Sequence, residues 1–300
     1  MDINVTVVLT TYKRPWNIVE RAINSVLKQT YTNLELIIVD DSPDEFKDRN
    51  LIEQNIKNIN DNRIQYIQHK YNQGACAARN TGVKNSTGFY IGFLDDDDEW
   101  LPEKIELQLK KFDKKDIGLV YCHSNTVVLK NNIVVDQQIR AYRHSGLVYK
   151  KLLKRNFIGS TSFPLLKRKV FDKVGYFKED LKSAQDYDLW LRISKEYEIN
   201  FVDKPLVNYY AHDGIRITTN VDNKIQGLEY INQLNIDVLK KDKKLYSLRK
   251  AKLILYYYER DGYWKALKKT WEAFRIYPFN IILIKNFIKF NISQVKFNKK

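Results

Sequence analysis

FYIGFLDDDDEWLP, residues 89–102, sets four aspartates directly behind an apolar run. A short apolar run bounded by polar residues reads as a buried strand, so Asp95, Asp96, Asp97 and Asp98 stand where that strand ends. Like charges side by side repel. That leaves two explanations: a solvated acidic turn, or a seat for a hard cation that prefers oxygen ligands. Alternate side chains of an extended chain share a face, so Asp95 and Asp97 turn the same way. Trp100 and Leu101-Pro102 then close the loop against a following helix, because proline suits a first helical position. An EF-hand is excluded, since it needs Gly and Glu at offsets this stretch lacks.

The strand–turn–helix rhythm continues outward on both sides. VTVVLT (5–10), LELIIVD (34–40), RIQYIQH (63–69) and IGLVYCHS (117–124) read as further strands. Helical spacing marks RPWNIVERAINSVLKQ (14–29), through Ile18, Ala22 and Val26, and also the stretches 74–83 and 102–112. Strands separated by helices of this length predict an α/β fold with a mostly parallel central sheet flanked by helices. Beyond residue 125 the pattern loosens. INFVDKPLVNYYAH (199–212) is expected to return to the sheet as antiparallel extended segments. From residue 224 the chain reads as helical and rich in Lys and Tyr, which predicts one domain at 1–223 and a helical C-terminal region at 224–300.

Three hundred residues, 44% apolar and 13% aromatic, make a folded chain with room for one large domain and an appendage. No low-complexity tract or fixed-period repeat interrupts it. Cys76 and Cys122 follow no metal-ligand spacing and make no disulfide framework, as expected of a reducing, cytoplasmic compartment. The start, MDIN, lacks a basic segment followed by a long apolar one, so no secretory signal is expected. The net charge of +15 is uneven: residues 226–300 hold 17 Lys+Arg against 6 Asp+Glu, and the rest hold 34 against 30. A partner that reads charge would therefore meet the tail.

In open α/β sheets ligands gather beyond the carboxyl ends of the strands. Three of the expected strands end in polar clusters there: Thr10-Thr11-Tyr12, Asp40-Asp41-Ser42 and the aspartate run. Thr and Asp at such ends can hydrogen-bond a base or a ribose, although Asp40 to Asp44 also reads as turn and cap chemistry. In NQGACAARNTG (72–82), Gly74 permits a tight turn and Arg79 could contact a diphosphate. SAQDYDLWLRI (183–193) has helical spacing with Asp186 in its first turn. Asp186 could be a base facing a cleft, or simply an acid favoured by the helix dipole. His212 is a candidate metal ligand or donor.

Together VVLTTYKRP, LIIVDDSPDE, NQGACAARNTG, FLDDDDEWLP and QDYDLWLR resemble, in order and spacing, family 2 glycosyltransferases of the GT-A fold. The resemblance covers residues 3 to 215. It implies a Rossmann-like GT-A domain with a C-terminal helical extension, the nucleotide-sugar side at about 1–124 and the acceptor side at about 125–223. It also implies an inverting transfer from a nucleotide-diphosphate sugar, UDP-linked, to a glycan or lipid-linked acceptor in cell-surface polysaccharide synthesis. By the same resemblance Thr10, Tyr12 and Asp41 hold the base, Arg79 lies near the diphosphate and Asp96 near the ribose. Asp97, supported by Asp95, would be the ligand of Mn²⁺ or Mg²⁺, His212 would lie near the metal, and Asp186 would be the catalytic base. Relatives often read Glu-Asp where this chain has Gln185-Asp186, which puts one acceptor contact in doubt.

The tail offers YWKALKKTWEAFRIYPFNIILIKNFIKF (263–290), with Trp264, Leu267, Trp271 and Phe274 on one helical stripe among lysines. Its apolar part is broken by Pro278, Lys285 and Lys289 and falls short of the about 20 apolar residues a spanning helix needs. A cationic, Trp-bearing stretch suits an anionic membrane surface, here through 263–300 and at the inner face of the cell membrane. Packing of the stripe on the first domain is the other reading. Nucleic acid is not an expected partner, because the strand ends are acidic and the basic excess lies in a helical tail. A nucleotidyltransferase would show a Gly- and Lys/Arg-rich triphosphate loop, and LTTYKRPWN lacks the glycines. A nucleotide-sugar-binding member without activity is the remaining alternative, which the retention of Asp41, Asp97 and Asp186 opposes.

Overall fold

The computed structural model describes residues 4–130, 133–212 and 220–285, without the side chains of Lys130 and His212. By contact the chain divides into two compact units, one of residues 1–180 and 186–214, the other of 181–185 and 215–300. The first unit opens as alternating strands and helices: β1 (Val5–Thr11), α1 (Trp16–Leu27), β2 (Leu34–Asp40), α2 (Arg49–Asn58), β3 (Ile64–Gln68), α3 (Ala75–Lys84) and β4 (Tyr90–Asp95). It continues with β5 (Glu99–Trp100), α4 (Lys104–Leu109), β6 (Ile117–Lys130), β7 (Ile133–Arg140), α5 (Tyr149–Lys154), β8 (Leu165–Lys167), α6 (Val170–Val174), α7 (Gln185–Glu196) and β9 (Glu198–His212).

One sheet runs in the order β3-β2-β1-β4-β8-β6-β9-β5, with β7 added on β6. β3, β2, β1 and β4 are mutually parallel. β8 inserts antiparallel between β4 and β6, so the second half of the sheet is mixed. β1 and β2 are buried on both faces, as apolar parallel strands should be. Val5, Val7 and Leu9 pack with Val19, Ala22, Ile23 and Val26 of α1, whereas Ile37 and Val39 meet Ala78 of α3 on the opposite face. Gly92 of β4 leaves the space that the Trp100 ring occupies; a Cβ there would stand 2.6 Å from that ring.

The expected strands 34–40 and 89–94 fall within a residue of β2 and β4. Two expectations are corrected. Residues 199–212 form one long strand that runs parallel to β6 and antiparallel to the two-residue β5, with a single antiparallel bridge from Ile199 to Gly146. The 117–124 strand extends to Lys130 and pairs antiparallel with β7, whose residues are almost all exposed.

The second unit is helical: α8 (Val221–Leu234), α9 (Ile236–Lys241), α10 (Lys243–Asp261) and α11 (Tyr263–Ile276). Asn220 caps α8 by accepting from the Asn223 N–H, and Asp242 caps α10 by accepting from Leu245 N–H, each supplying a partner to an otherwise orphaned donor. Gly262, at φ 81°, turns the chain from α10 into α11 in a conformation that costs glycine nothing. Among the described residues no helix is long and apolar enough to cross a membrane.

Candidate active site

The strand order places a topological switch between β1 and β4, because the chain moves from β1 out to β2 and β3 and then returns to the other side of β1. Ligands bind at such crevices. The register brings Thr10 opposite Asp95 and Thr11 opposite Asp40, so the polar strand ends lie along one edge. Lys13, at φ 48°, bends the chain sharply after β1 and donates its N–H to Ser42 Oγ at 2.8 Å. A non-glycine residue in that region is strained and is held there by its surroundings.

The four aspartates divide by alternation. Asp95 and Asp97 keep side-chain exposures of 29% and 24%, whereas Asp96 keeps 7% and Asp98 is buried. Asp95 accepts from Arg79 Nη2 at 2.7 Å, from Thr161 Oγ1 at 3.0 Å and from Ser160 Oγ at 3.2 Å. Burial would raise its carboxyl, but Arg79 and the two hydroxyls outweigh burial and hold it below the ordinary carboxylate range. Asp96 accepts from Thr11 Oγ1 at 2.9 Å, from Tyr12 N–H at 3.4 Å and from Arg14 Nε at 2.9 Å. Burial still pushes its carboxyl up to about 6. Asp97 lies 3.4 Å from Arg14 Nη2, and its carbonyl accepts from Arg21 Nη2 at 2.7 Å. Asp98 is raised well above the ordinary range by burial and then by Asp95 and Asp97.

Asp41 looks inward. Its oxygens accept from the N–H groups of Gln73 and Gly74, each at 2.8 Å, and His69 Nδ1 lies 2.8 Å from Oδ1. It thereby fixes the turn at Gly74, φ 91°, from which α3 starts and delivers Arg79 to Asp95. Tyr12 instead is 43% exposed beside the strand ends.

α7 brings Asp186. Its Oδ1 accepts from the Tyr187 N–H at 2.7 Å and its Oδ2 from Asn156 Nδ2 at 3.3 Å. Burial raises its carboxyl. Arg79 opposes that rise and Asp95 adds to it, and one loop ties the groups together, since Asn156 binds Asp186 while Ser160 and Thr161 bind Asp95. Asp188 separates from it: it is fully buried and paired with Arg192 at 2.8 Å. The side chain of His212 lies outside the described residues.

No motif marks residues 125–182 in the sequence, yet the loop 156–162 supplies Asn156 to Asp186 and Ser160 and Thr161 to Asp95. Ser162 Oγ accepts the Asp95 N–H at 3.1 Å. Gly159, at φ 93°, makes the bend, and a Cβ there would stand 2.3 Å from the Arg140 guanidinium. A glycine among Ser and Thr was the available signal. Arg14 and Arg21 were also missed, although Arg14 lies inside the YKRP motif.

Among the described residues no three His, Cys, Asp or Glu side chains converge into a closed metal cage. A hard cation that completes its shell with phosphates and water needs only one or two protein carboxylates. Asp97 and Asp95, both partly open and both oxygen donors, fit that smaller demand.

Residues 6–175 match the family described as Glycosyl transferase family 2. The Escherichia coli K12 protein WcaA, described provisionally as a colanic acid biosynthesis glycosyl transferase, is 31% identical over 80% of this chain and 85% of its own. The E. coli protein WfgD, named as a UDP-Glc:alpha-D-GlcNAc-diphosphoundecaprenol beta-1,3-glucosyltransferase, is 32% identical over 67% of this chain and 74% of its own. Among solved structures, S. aureus TarS 1-349 in complex with UDP-GlcNAc aligns with a TM-score of 0.61 and 19% identity, covering 86% of this chain and 73% of that one. At that identity the likeness speaks to the fold.

Proposed function

The chain belongs to glycosyl transferase family 2, and from that premise we propose that it transfers a hexose or N-acetylhexosamine, with inversion, from a UDP-linked donor to a hydroxyl of a glycan or lipid-linked acceptor. The observation that carries this reading is the loop 156–162, which binds Asp186 through Asn156 and the Arg79-paired Asp95 through Ser160 and Thr161, beside Asp96 and Asp97 at the β1/β4 switch. The UDP-Glc donor for which WfgD is named and the sugar nucleotide in the TarS complex support UDP, and the diphosphoundecaprenol acceptor of WfgD supports a lipid-linked one. Cell-surface polysaccharide synthesis is the setting that WcaA suggests.

In this reading Thr10 and Tyr12 face the nucleotide and Asp96 the ribose. Asp41 acts through the 72–74 turn that it fixes. Arg79 holds Asp95 ionised and supplies positive charge near the diphosphate. Asp97 and Asp95 would hold Mn²⁺ or Mg²⁺, which when bound neutralises charge on the diphosphate leaving group. Asp186 takes the proton from the acceptor hydroxyl as its oxygen bonds to the anomeric carbon. The bond from that carbon to the diphosphate oxygen breaks at the same time, and its electron pair leaves with UDP. Attack from the face opposite the leaving group inverts the carbon, and no enzyme nucleophile is needed.

Calorimetric titration with UDP tests the donor side: binding should tighten with Mn²⁺, and Asp97→Ala should abolish that gain. Product analysis tests the reaction. Released UDP supports transfer, whereas released pyrophosphate would replace this reading with nucleotidyl transfer. Binding of UDP-sugars with neither product under any acceptor would leave a binding protein.

A further inference from the structure

Helices in water normally turn their large apolar residues inward. α11 does the reverse. Its buried residues are Ala266, Thr270 and Ala273, and the two alanines join Ala251, Ile254 and Leu283 in a core of mainly small side chains. Small residues there let α10 and α11 approach closely; of the α11 aromatics only Tyr263, at the helix start, packs against that core among the described residues, and Trp264, Trp271 and Phe274 do not. Trp264 is 78% exposed and Trp271 55%. Phe274, Phe279 and Ile281 are exposed as well. Trp264, Lys268, Trp271 and Arg275 follow the spacing i, i+4, i+7, i+11, which is one stripe of a helix. Scattered exposed apolar residues are ordinary, but a run of them along one face marks an interaction surface.

The charge around this face selects the partner. Residues 263–285 carry Lys265, Lys268, Lys269, Arg275 and Lys285 against the single acid Glu272. A second copy bound through the same patch would set these cations against their own equivalents, because a two-fold contact pairs like surface with like. An anionic lipid surface meets both features at once: it attracts clustered Lys and Arg and accepts Trp rings at the headgroup level. We propose that the outward face of α11 and the segment just after it, carrying Trp264, Trp271, Phe279 and Ile281 among Lys265, Lys268 and Arg275, docks on an anionic lipid bilayer. This deepens the functional reading, on which it rests for its purpose, by naming the surface at which a lipid-linked acceptor is met. Docking holds the chain where that acceptor is concentrated and needs no new contact at the strand ends.

Co-sedimentation of the full chain with vesicles of phosphatidylcholine, alone or mixed with phosphatidylglycerol, tests the proposal. Wild type should partition at least about tenfold better onto the anionic vesicles at low salt, and the gain should fade as salt screens it. Trp264→Ala/Trp271→Ala and, separately, Lys265→Glu/Lys268→Glu should each lower that partition about tenfold, with thermal melting unchanged. Failure of wild type to bind at low salt, or equal binding by both variants, overturns the proposal. Light scattering that shows a dimer for wild type and a single chain for the tryptophan variant also overturns it, because the occupant is then a second copy. UDP titration without vesicles keeps the two readings apart. Its loss removes the functional reading while vesicle binding stands, and normal UDP binding without vesicle binding removes only the docking face.

Discussion

In the first unit Asp40, Asp41, Asp96 and Asp98 are buried at or just beyond strand ends, while in the second Trp264, Trp271 and Phe279 stand in water. Each region inverts the ordinary distribution, and the inversions differ in kind. The buried carboxylates are mostly compensated within the chain: Asp41 has two backbone N–H donors and His69, Asp96 has Thr11 and Arg14, and Asp95 beside them has Arg79. A buried charge is tolerated only when so paired. The outward aromatics of α11 have no comparable apolar surroundings in their own unit's core. Internal compensation suits a site that must be rigid before substrate arrives. An uncompensated apolar face suits a surface completed by something outside the chain.

The largest test of the first region is Asp186→Asn. If Asp186 is the base, transfer should fall about 10³-fold, within the range such groups contribute, while UDP binding is retained. Turnover within about threefold of wild type would dismiss the assignment, since a base is worth far more. The pH profile carries a sign. Burial raises the Asp186 carboxyl, and only its ionised form accepts a proton. The acid limb of the rate should therefore lie above the ordinary carboxylate pKa of about 4. Between the unfolded and folded values the native state still holds a proton that the unfolded chain has lost, so stability falls as pH rises through that window. Asp186→Asn removes this cost, and the variant should be inactive yet no less stable at neutral pH.

Arg79→Ala asks whether the buried charges are truly compensated. It removes the cation from Asp95 and should cost about 2–4 kcal/mol in urea unfolding, the scale of a broken, largely buried pair. Adding Asp95→Asn should recover part of that loss, because the orphaned charge is gone. A loss below about 0.5 kcal/mol, the level of a neutral surface change, would show the pair to be solvated instead.

The two regions also differ in how far the sequence disclosed them. β2 and β4 were legible to within a residue because buried parallel strands are continuous apolar runs with polar ends. The start of α7 was legible from the helical spacing of SAQDYDLWLRI, with Asp186 in its first turn. β7 was not, since a strand exposed on nearly every residue has no apolar rhythm. The direction of β9 was not, because periodicity tells a strand from a helix but never names its partner. The 156–162 loop was hidden for another reason: Ser160 and Thr161 act through short side chains on Asp95, 65 and 66 residues away, and no local spacing records that. On α11 the aromatic stripe was visible, but its orientation was decided by Ala266 and Ala273, which permit close helix packing.

That orientation yields the smallest and sharpest contrast. Trp271→Ala deletes a large apolar side chain that is 55% exposed, and Ala273→Leu, two residues on, adds three carbons at a buried position. If small residues form the inner face, Ala273→Leu should cost about 1–3 kcal/mol by overpacking against α10. Trp271→Ala should change stability by no more than about 0.5 kcal/mol, as surface substitutions do. The usual ranking of a core would reverse these, since truncating a buried Trp costs about 3–5 kcal/mol. Urea unfolding of both variants decides between the two arrangements. A large loss for Trp271→Ala with none for Ala273→Leu would mean that the aromatic stripe is packed, and the docking face would then lose its ground.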